Sequence, residues 1–234
     1  SKNIIKNYNG KVIAITGSNG KTTTTSIIAS TLSDSSSTIG NFNNEIGLPL
    51  SIFNSSPKSK YLVYEIGASK FNDINYLSDI LKPDIGVITN IGLSHLESLK
   101  NTQGVLKVKS EIINNIKKNG FLIVPDDDKD HLQHWKNIRS DIKLLTFGLK
   151  ESSDFHPLEP SLKTNGLYFL VKSIHLEKII KINSKLEGNH NILNILASCA
   201  VHYCLSQDIN EFAKKIKSLI FKNSRLTKIK WIKN

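Results

Sequence analysis

The sequence predicts an α/β fold: a mostly parallel P-loop sheet flanked by helices, with a small antiparallel strand insertion in the C-terminal half. Three observations carry this. Short apolar runs of strand length alternate with helical patterns as far as about Ser140. A glycine-containing loop ending in Lys-Thr joins the first apolar run to the first helical pattern. Beyond Ser140 strand-like runs follow one another before helical spacing returns. Alternating strands and helices of these lengths imply right-handed crossovers and a mostly parallel sheet.

Val12 to Ile15 is a continuous apolar run, as expected of a strand buried on both faces. The glycine loop follows, then a helix over Thr22 to Leu32. Ser35 to Ser37 reads as a loop. Tyr61 to Ile66 is a second strand, with Glu65 near its end. A helix over Asp73 to Leu81 stops at Lys82-Pro83, because the residue before proline disfavours the helical region. Ile85 to Ile88 is a third strand, Thr102 to Ile116 a long helix and Phe121 to Val124 a fourth strand. Lys143 to Phe147 extends the set, and Leu167 to Val171 with Ile179 to Ile182 form the antiparallel insertion. Leu193, Leu196, Ala197, Ala200, Val201 and Cys204 share one face at helical spacing. A last helix is expected over Phe212 to Ile220.

At 234 residues the chain suffices for one large α/β domain. Its 39% hydrophobic and 22% charged residues are those of an ordinary folded domain. No stretch approaches the roughly 18 apolar residues that span a bilayer. Ser1 to Gly10 is polar, so neither membrane nor export is expected. The formal net charge of +11 invites an acidic partner. However, there is no arginine cluster and no aromatic interleaving of a basic patch, so no nucleic acid is expected. Cys199 and Cys204, five positions apart on one helical stretch, read as core thiols of a reducing cytoplasm. The sequence holds no Met, even at position 1, so a processed product or an excised piece is expected.

The sharpest chemical signal is Thr16-Gly17-Ser18-Asn19-Gly20-Lys21-Thr22-Thr23, between a strand and a helix. Glycines let backbone amides converge on an anion, and the helix N-terminus adds positive potential. The lysine neutralises charge, and the hydroxyl after it can ligate Mg²⁺. The general motif has glycine where this chain has Ile15. Gly17, Ser18, Asn19, Gly20, Lys21, Thr22 and Thr23 are therefore candidate nucleotide-phosphate contacts. Glu65 ends its strand at the same sheet edge and can reach a magnesium held by Thr22, since ligands gather at the carboxyl ends of parallel strands. Asn90 and His95 follow the third strand toward that edge. Lys107 and Lys109 lie on the next helix, with Glu111 nearby; an ordinary lysine there is solvated surface charge.

These motifs, taken with others, resemble the Mur ligase family. The selective stretches are Gly40-Asn41-Phe42-Asn43-Asn44-Glu45-Ile46-Gly47-Leu48-Pro49, Glu65-Ile66-Gly67-Ala68 and Asn90-Ile91-Gly92-Leu93-Ser94-His95-Leu96-Glu97. Val108-Lys109-Ser110-Glu111-Ile112 and Gly188-Asn189-His190-Asn191-Ile192-Leu193-Asn194 complete the set. The resemblance runs from about Lys11 to Leu226 and implies a central ATP-binding domain over 1–234. The family's N-terminal UDP-binding and C-terminal closing domains are expected to be absent. By position, it implies that Lys21 grips the ATP phosphates, that Thr22 and Glu65 hold one Mg²⁺, and that His95 helps hold a second. Lys109 matches the lysine that becomes carbamylated and so a metal ligand. Asn191 and Asn194 match adenine-side contacts, Arg225 an arginine on the ATP side, and Asn43 and Asn44 contacts to the UDP-sugar peptide. Two departures stand out: Ser224-Arg225 where the family usually has Gly-Arg, and Gly188-Asn189-His190-Asn191 where it has Gly-Arg-His-Asn.

Within the family the resemblance is greatest to members that add D-alanyl-D-alanine to UDP-N-acetylmuramoyl-tripeptide. It implies ATP-dependent amide-bond formation through an acyl phosphate, in the cytoplasm, by a monomer. The alternatives are a sibling ligase, of the folylpolyglutamate or another amino-acid-adding type, and a non-catalytic nucleotide-binding module.

Overall fold

The computed structural model describes residues 1–92, 101–163 and 166–219, the side chains of 159–163 excepted. Among the described residues nine strands form one sheet in the order β2-β3-β1-β4-β5-β6-β7-β8-β9. They are β1 (Lys11–Thr16), β2 (Ser35–Ser37), β3 (Tyr61–Glu65), β4 (Ile85–Ile88), β5 (Phe121–Pro125), β6 (Lys143–Phe147), β7 (Phe155–Lys163), β8 (Gly166–Ser173) and β9 (Ile180–Ser184). Pairing is parallel from β2 to β7 and antiparallel from β7 to β9. Among the described residues the helices are α1 (Lys2–Lys6), α2 (Lys21–Thr31), α3 (Gly47–Phe53), α4 (Asp73–Leu81), α5 (Thr102–Ser110), α6 (Lys129–Lys136), α7 (His190–Cys204) and α8 (Ile209–Ser218).

Successive side chains of a strand point to opposite faces, and β1 shows the consequence. Ile13 and Ile15 enter a core with α2, α7 and α8, through Ile27, Ile28, Ile195, Leu196 and Phe212. Val12 and Ala14 enter the other core, where Leu48, Ile52, Leu77, Val105 and Trp135 from α3 to α6 cover the opposite face. An uninterrupted apolar strand is what a two-sided burial requires. From β1 the chain runs to β2 and β3 on one side, then to β4 on the other. The carboxyl ends of β1, β3 and β4 therefore flank a topological switch point, where ligands of open α/β sheets bind.

The strands and helices predicted up to Phe147 are present, with differences that have physical causes. Ser35–Ser37 is a strand, not a loop, pairing in parallel with β3. Its hydroxyls are satisfied by tertiary partners, Ser35 on the Ala29 carbonyl and Ser36 on Ser59. The helix predicted over Thr102 to Ile116 ends at Ser110 and continues as a 3₁₀ turn over Glu111–Asn115. There the Glu111 carboxylate reaches across to accept from the backbone N–H groups of Asn72 (2.8 Å) and Asn75 (3.1 Å), capping α4. The long strand β7 escaped the sequence reading because Pro157 and Pro160 interrupt it. Proline belongs at strand edges, and β7 pairs with β6 only at Phe155. Helices α1, α3 and α6 were also unforeseen. The last helix spans Ile209–Ser218; Ile220 lies outside the described residues. Both cysteines are free thiols. Among the described residues no helix is long and apolar enough to cross a membrane.

Candidate functional site

The loop between β1 and α2 needs its glycines. Gly17 has φ 142°, and a Cβ there would stand 2.0 Å from the Thr89 hydroxyl. Gly20, the residue before α2, has φ 80°, and its Cβ would meet the Asn194 carboxamide oxygen at 2.4 Å. From the end of β4 the loop is pinned throughout. Ser18 and Asn19 donate their backbone N–H groups to Asn90, to its carbonyl at 3.2 Å and its side-chain oxygen at 2.9 Å. Thr89 donates to the Asn19 carbonyl at 2.5 Å. The Ser18 hydroxyl donates to the Gly92 carbonyl and accepts the Gly92 N–H. Lys21 turns back over the loop, its ammonium donating to the carbonyls of Gly17 (2.9 Å) and Ser18 (3.2 Å). No acidic residue occupies the first turn of α2. The positive end of that helix, with Thr22 and Thr23 in its first turn, is thus left to attract an anion.

Glu65 closes β3 beside this loop, 3% exposed. Thr22 donates its hydroxyl to Oε2 at 2.7 Å, and the Asn43 carboxamide nitrogen donates to Oε1 at 2.7 Å. The Glu65 backbone N–H donates to the Thr38 hydroxyl. A buried carboxylate whose partners are neutral donors, next to an alcohol at a helix start, is a hard-oxygen donor pair suited to Mg²⁺. Among the described residues no cluster of three or more His, Cys, Asp or Glu could hold a metal alone. A magnesium at Thr22 and Glu65 would complete its shell with water and phosphate oxygens, the usual preference of that ion. The residues present fit it.

A pocket of about 800 Å³ opens beside the loop, and Lys21, Asn43, Asn44, Asp73 and Lys109 help line it. Lys109 is 1% exposed. Burial, then the charge of Lys21, push its pKa down to about 8, while Glu111 and Asp73 pull the other way. Lys107, two positions earlier on α5, faces solvent. The loop before α3 supplies both asparagines. Asn44 uses its side-chain oxygen to accept from the N–H groups of Ile46 and Gly47, capping α3.

Asn191 and Asn194 lie beneath Gly20 at the start of α7, each 6% exposed. Asn194 accepts from the Thr24 hydroxyl (3.2 Å) and donates to Asn191 (2.8 Å), which donates to the Glu187 carbonyl (2.7 Å). The structure therefore gathers Lys21, Thr22, Glu65, Asn43, Asn44 and Lys109 around one edge, with Asn191 and Asn194 below the loop. His95 and Arg225 lie outside the described residues. The sequence reading missed Thr89, which fixes the loop, and Thr38, which holds Glu65. Thr89 carried a signal, since it follows the apolar run of β4 at the same sheet edge; Thr38 carried none.

The Mur ligase middle domain matches residues 15–202. UDP-N-acetylmuramoyl-tripeptide–D-alanyl-D-alanine ligase from Buchnera aphidicola subsp. Baizongia pistaciae is 35% identical, over 97% of this chain and 50% of its own length. The enzyme of that name from Bacillus subtilis is 34% identical, over 98% and 49%. Among solved structures, MurF from Acinetobacter baumannii superposes with a TM-score of 0.86 at 28% identity, covering 97% of this chain and 50% of that one. MurF ligase from Thermotoga maritima, in complex with ADP, gives 0.82 at 30% identity, over 93% and 50%. The chain spans about half the length of the curated relatives it matches. The matched span takes in the glycine loop, the buried carboxylate and the asparagines beneath them, and the chain accordingly belongs to the Mur ligase family, whose middle domain it carries.

Proposed function

We propose that this chain binds ATP with Mg²⁺ and serves a ligase that joins D-alanyl-D-alanine to UDP-N-acetylmuramoyl-tripeptide in peptidoglycan precursor synthesis. The observation that carries this is the convergence of Lys21, the Thr22–Glu65 pair and buried Lys109 at one switch point beside an 800 Å³ pocket. The names of the relatives supply the substrates, and the ADP complex of the Thermotoga maritima enzyme supports the nucleotide.

The chemistry is two successive displacements. The tripeptide carboxylate attacks the γ-phosphorus, the bond to ADP breaks, and an acyl phosphate forms. The amine of the dipeptide then attacks the acyl carbon, phosphate leaves, and the amine proton passes to solvent. In-line phosphoryl transfer needs little covalent help from the protein, and mainly placed charge. Lys21 would neutralise the β- and γ-phosphates from its position over the loop. Thr22 and Glu65 would hold magnesium, which supplies charge neutralisation at the transferring phosphoryl group. His95 would assist a second ion. A neutral Lys109 amine can form a bond to carbon dioxide and lose a proton, giving a carbamate with two oxygens for metal or its waters. Asn191, Asn194 and Arg225 are proposed for the adenine side, and Asn43 and Asn44 for the sugar peptide. We further propose a monomer acting in the cytoplasm, without nucleic acid or membrane.

Thermal shift tests the reading. ATP with Mg²⁺ is expected to raise the melting temperature of this chain, and Lys21→Ala to lose most of that gain. In a protein of the relatives' full length the same substitution is expected to lower turnover about 10²–10³-fold, the usual effect of removing one preorganised charge-stabilising group. Unchanged turnover would remove the central claim.

A further inference from the structure

Both oxygens of the Glu65 carboxylate are engaged, Oε2 by the Thr22 hydroxyl and Oε1 by Asn43, each at 2.7 Å. We propose that Asn43 is a positioning residue for this carboxylate, fixing its rotation so that Oε2 faces Thr22 and the pair presents a ready divalent-cation seat. The proposal rests on the nucleotide–magnesium reading and adds a residue to it.

The carboxamide is well suited to the task. A carboxylate only accepts, so the atom of Asn43 that meets it is the nitrogen. That leaves Oδ1 on the side of Gly67, where a Cβ would stand 2.9 Å away. The Asn43 backbone is itself fixed, since its N–H donates to the Asn41 carbonyl and its carbonyl accepts the Gly67 N–H, both at 2.8 Å. Glu65 is thus held at its backbone by Thr38 and at its head by Asn43, while most neighbours of Asn43 in its loop are exposed. Such partners matter because rotation of a ligating carboxylate decides which lone pairs reach the ion. Losing one typically lowers metal affinity about 10–100-fold. Substrate contact alone does not account for this bond: one N–H of the carboxamide is given to Glu65, and the other is left for a sugar peptide.

The test is a magnesium titration of this chain binding a fluorescent ADP analogue. For the unsubstituted chain, affinity should rise with Mg²⁺; no dependence at all would sink the nucleotide–magnesium reading itself. Asn43→Ala is expected to raise the Mg²⁺ midpoint about tenfold, with binding in EDTA unchanged. Asn43→Asp has nearly the same shape but sets a second carboxylate against Glu65, a repulsion that a cation relieves. Its midpoint should fall. Any carboxylate added beside the seat attracts the cation, so the Asn43→Ala shift carries the positioning role and the Asn43→Asp shift reports that the seat lies beside position 43. An Asn43→Ala midpoint equal to that of the unsubstituted chain would overturn the proposal, as would midpoints that move the same way in both variants. If Asn43→Ala does not fold, judged by circular dichroism, Asn43→Ser decides in its place: a higher midpoint supports the role, an equal or lower one removes it.

Discussion

Lys107 and Lys109 stand two residues apart on α5 and meet opposite environments, solvent for the first and a 1%-exposed site for the second. Positions two apart on a helix do not share a face, so sequence alone gave Lys109 its interest only through the neighbouring family motif. The structure supplies the physical reason. Desolvation and the nearby Lys21 charge lower its pKa to about 8, so near that pH about half the side chain is a neutral amine, the form that reacts with carbon dioxide. In a protein of the relatives' full length, Lys109→Ala should abolish ligation, short carboxylic acids added to the assay should partly restore it, and Lys107→Ala should be mild. Turnover of the two variants, measured with and without added acetate, checks this; the reverse ranking would sink the carbamate role.

Helix α2 carries most of what the sequence could announce. Its glycine loop, lysine and threonine form a local pattern whose chemistry depends on neighbours in the chain, which is why Lys21, Thr22 and the end of β3 could be placed from residues alone. The β1 alternation was legible for the same reason, since four apolar residues in a row leave no exposed face. What was hidden depends on partners distant in sequence. The serines of β2 become a strand only when β3 lies alongside, and the prolines of β7 are tolerated because its far edge is mostly unpaired. The bond from Asn43 to Glu65 spans 22 positions, and no periodicity reports it. Gly20 links local and distant causes, and it gives a test. Alanine there must adopt φ near 80° and would place its Cβ 2.4 Å from Asn194. The left-handed conformation alone costs about 1–2 kcal/mol, and displacing Asn194 would also break its bond from Thr24. Gly40 has φ 54° with nothing near its Cβ, so Gly40→Ala isolates the backbone part. Urea unfolding should show Gly20→Ala to be the more destabilised of the two, and equal losses would mean that α7 does not pack as described.

At the scale of the whole molecule, the antiparallel strands are not an appendage. Phe155, Phe169 and Val171 share a core with Ile13, Ile15 and the helices α2, α7 and α8, so β7 to β9 extend the sheet that carries the glycine loop. Their existence could be read from the sequence in part, but not their attachment, which is set by register and by the single Phe147–Phe155 pairing. One continuous body then bears the glycine loop, the candidate metal pair and the pocket beside them. The chain spans half the length of its curated relatives. Amide synthesis must bring ATP, a sugar peptide and a dipeptide into register, and such positioning is worth effective molarities of roughly 10⁵–10⁸ M in favourable cases. The residues gathered here are proposed for the nucleotide, its metal and the sugar peptide, and none of them for the amine. We therefore expect the 234 residues alone to bind ADP and ATP with Mg²⁺ and yet to ligate poorly. Coupled phosphate release with UDP-N-acetylmuramoyl-tripeptide and D-alanyl-D-alanine measures it. Turnover at rates ordinary for enzymes, about 1–10³ per second, would show that this half carries the whole reaction and would overturn the expectation. Nucleotide binding without such turnover would support it, with the positioning of the sugar peptide and of the acceptor amine as the contribution still lacking.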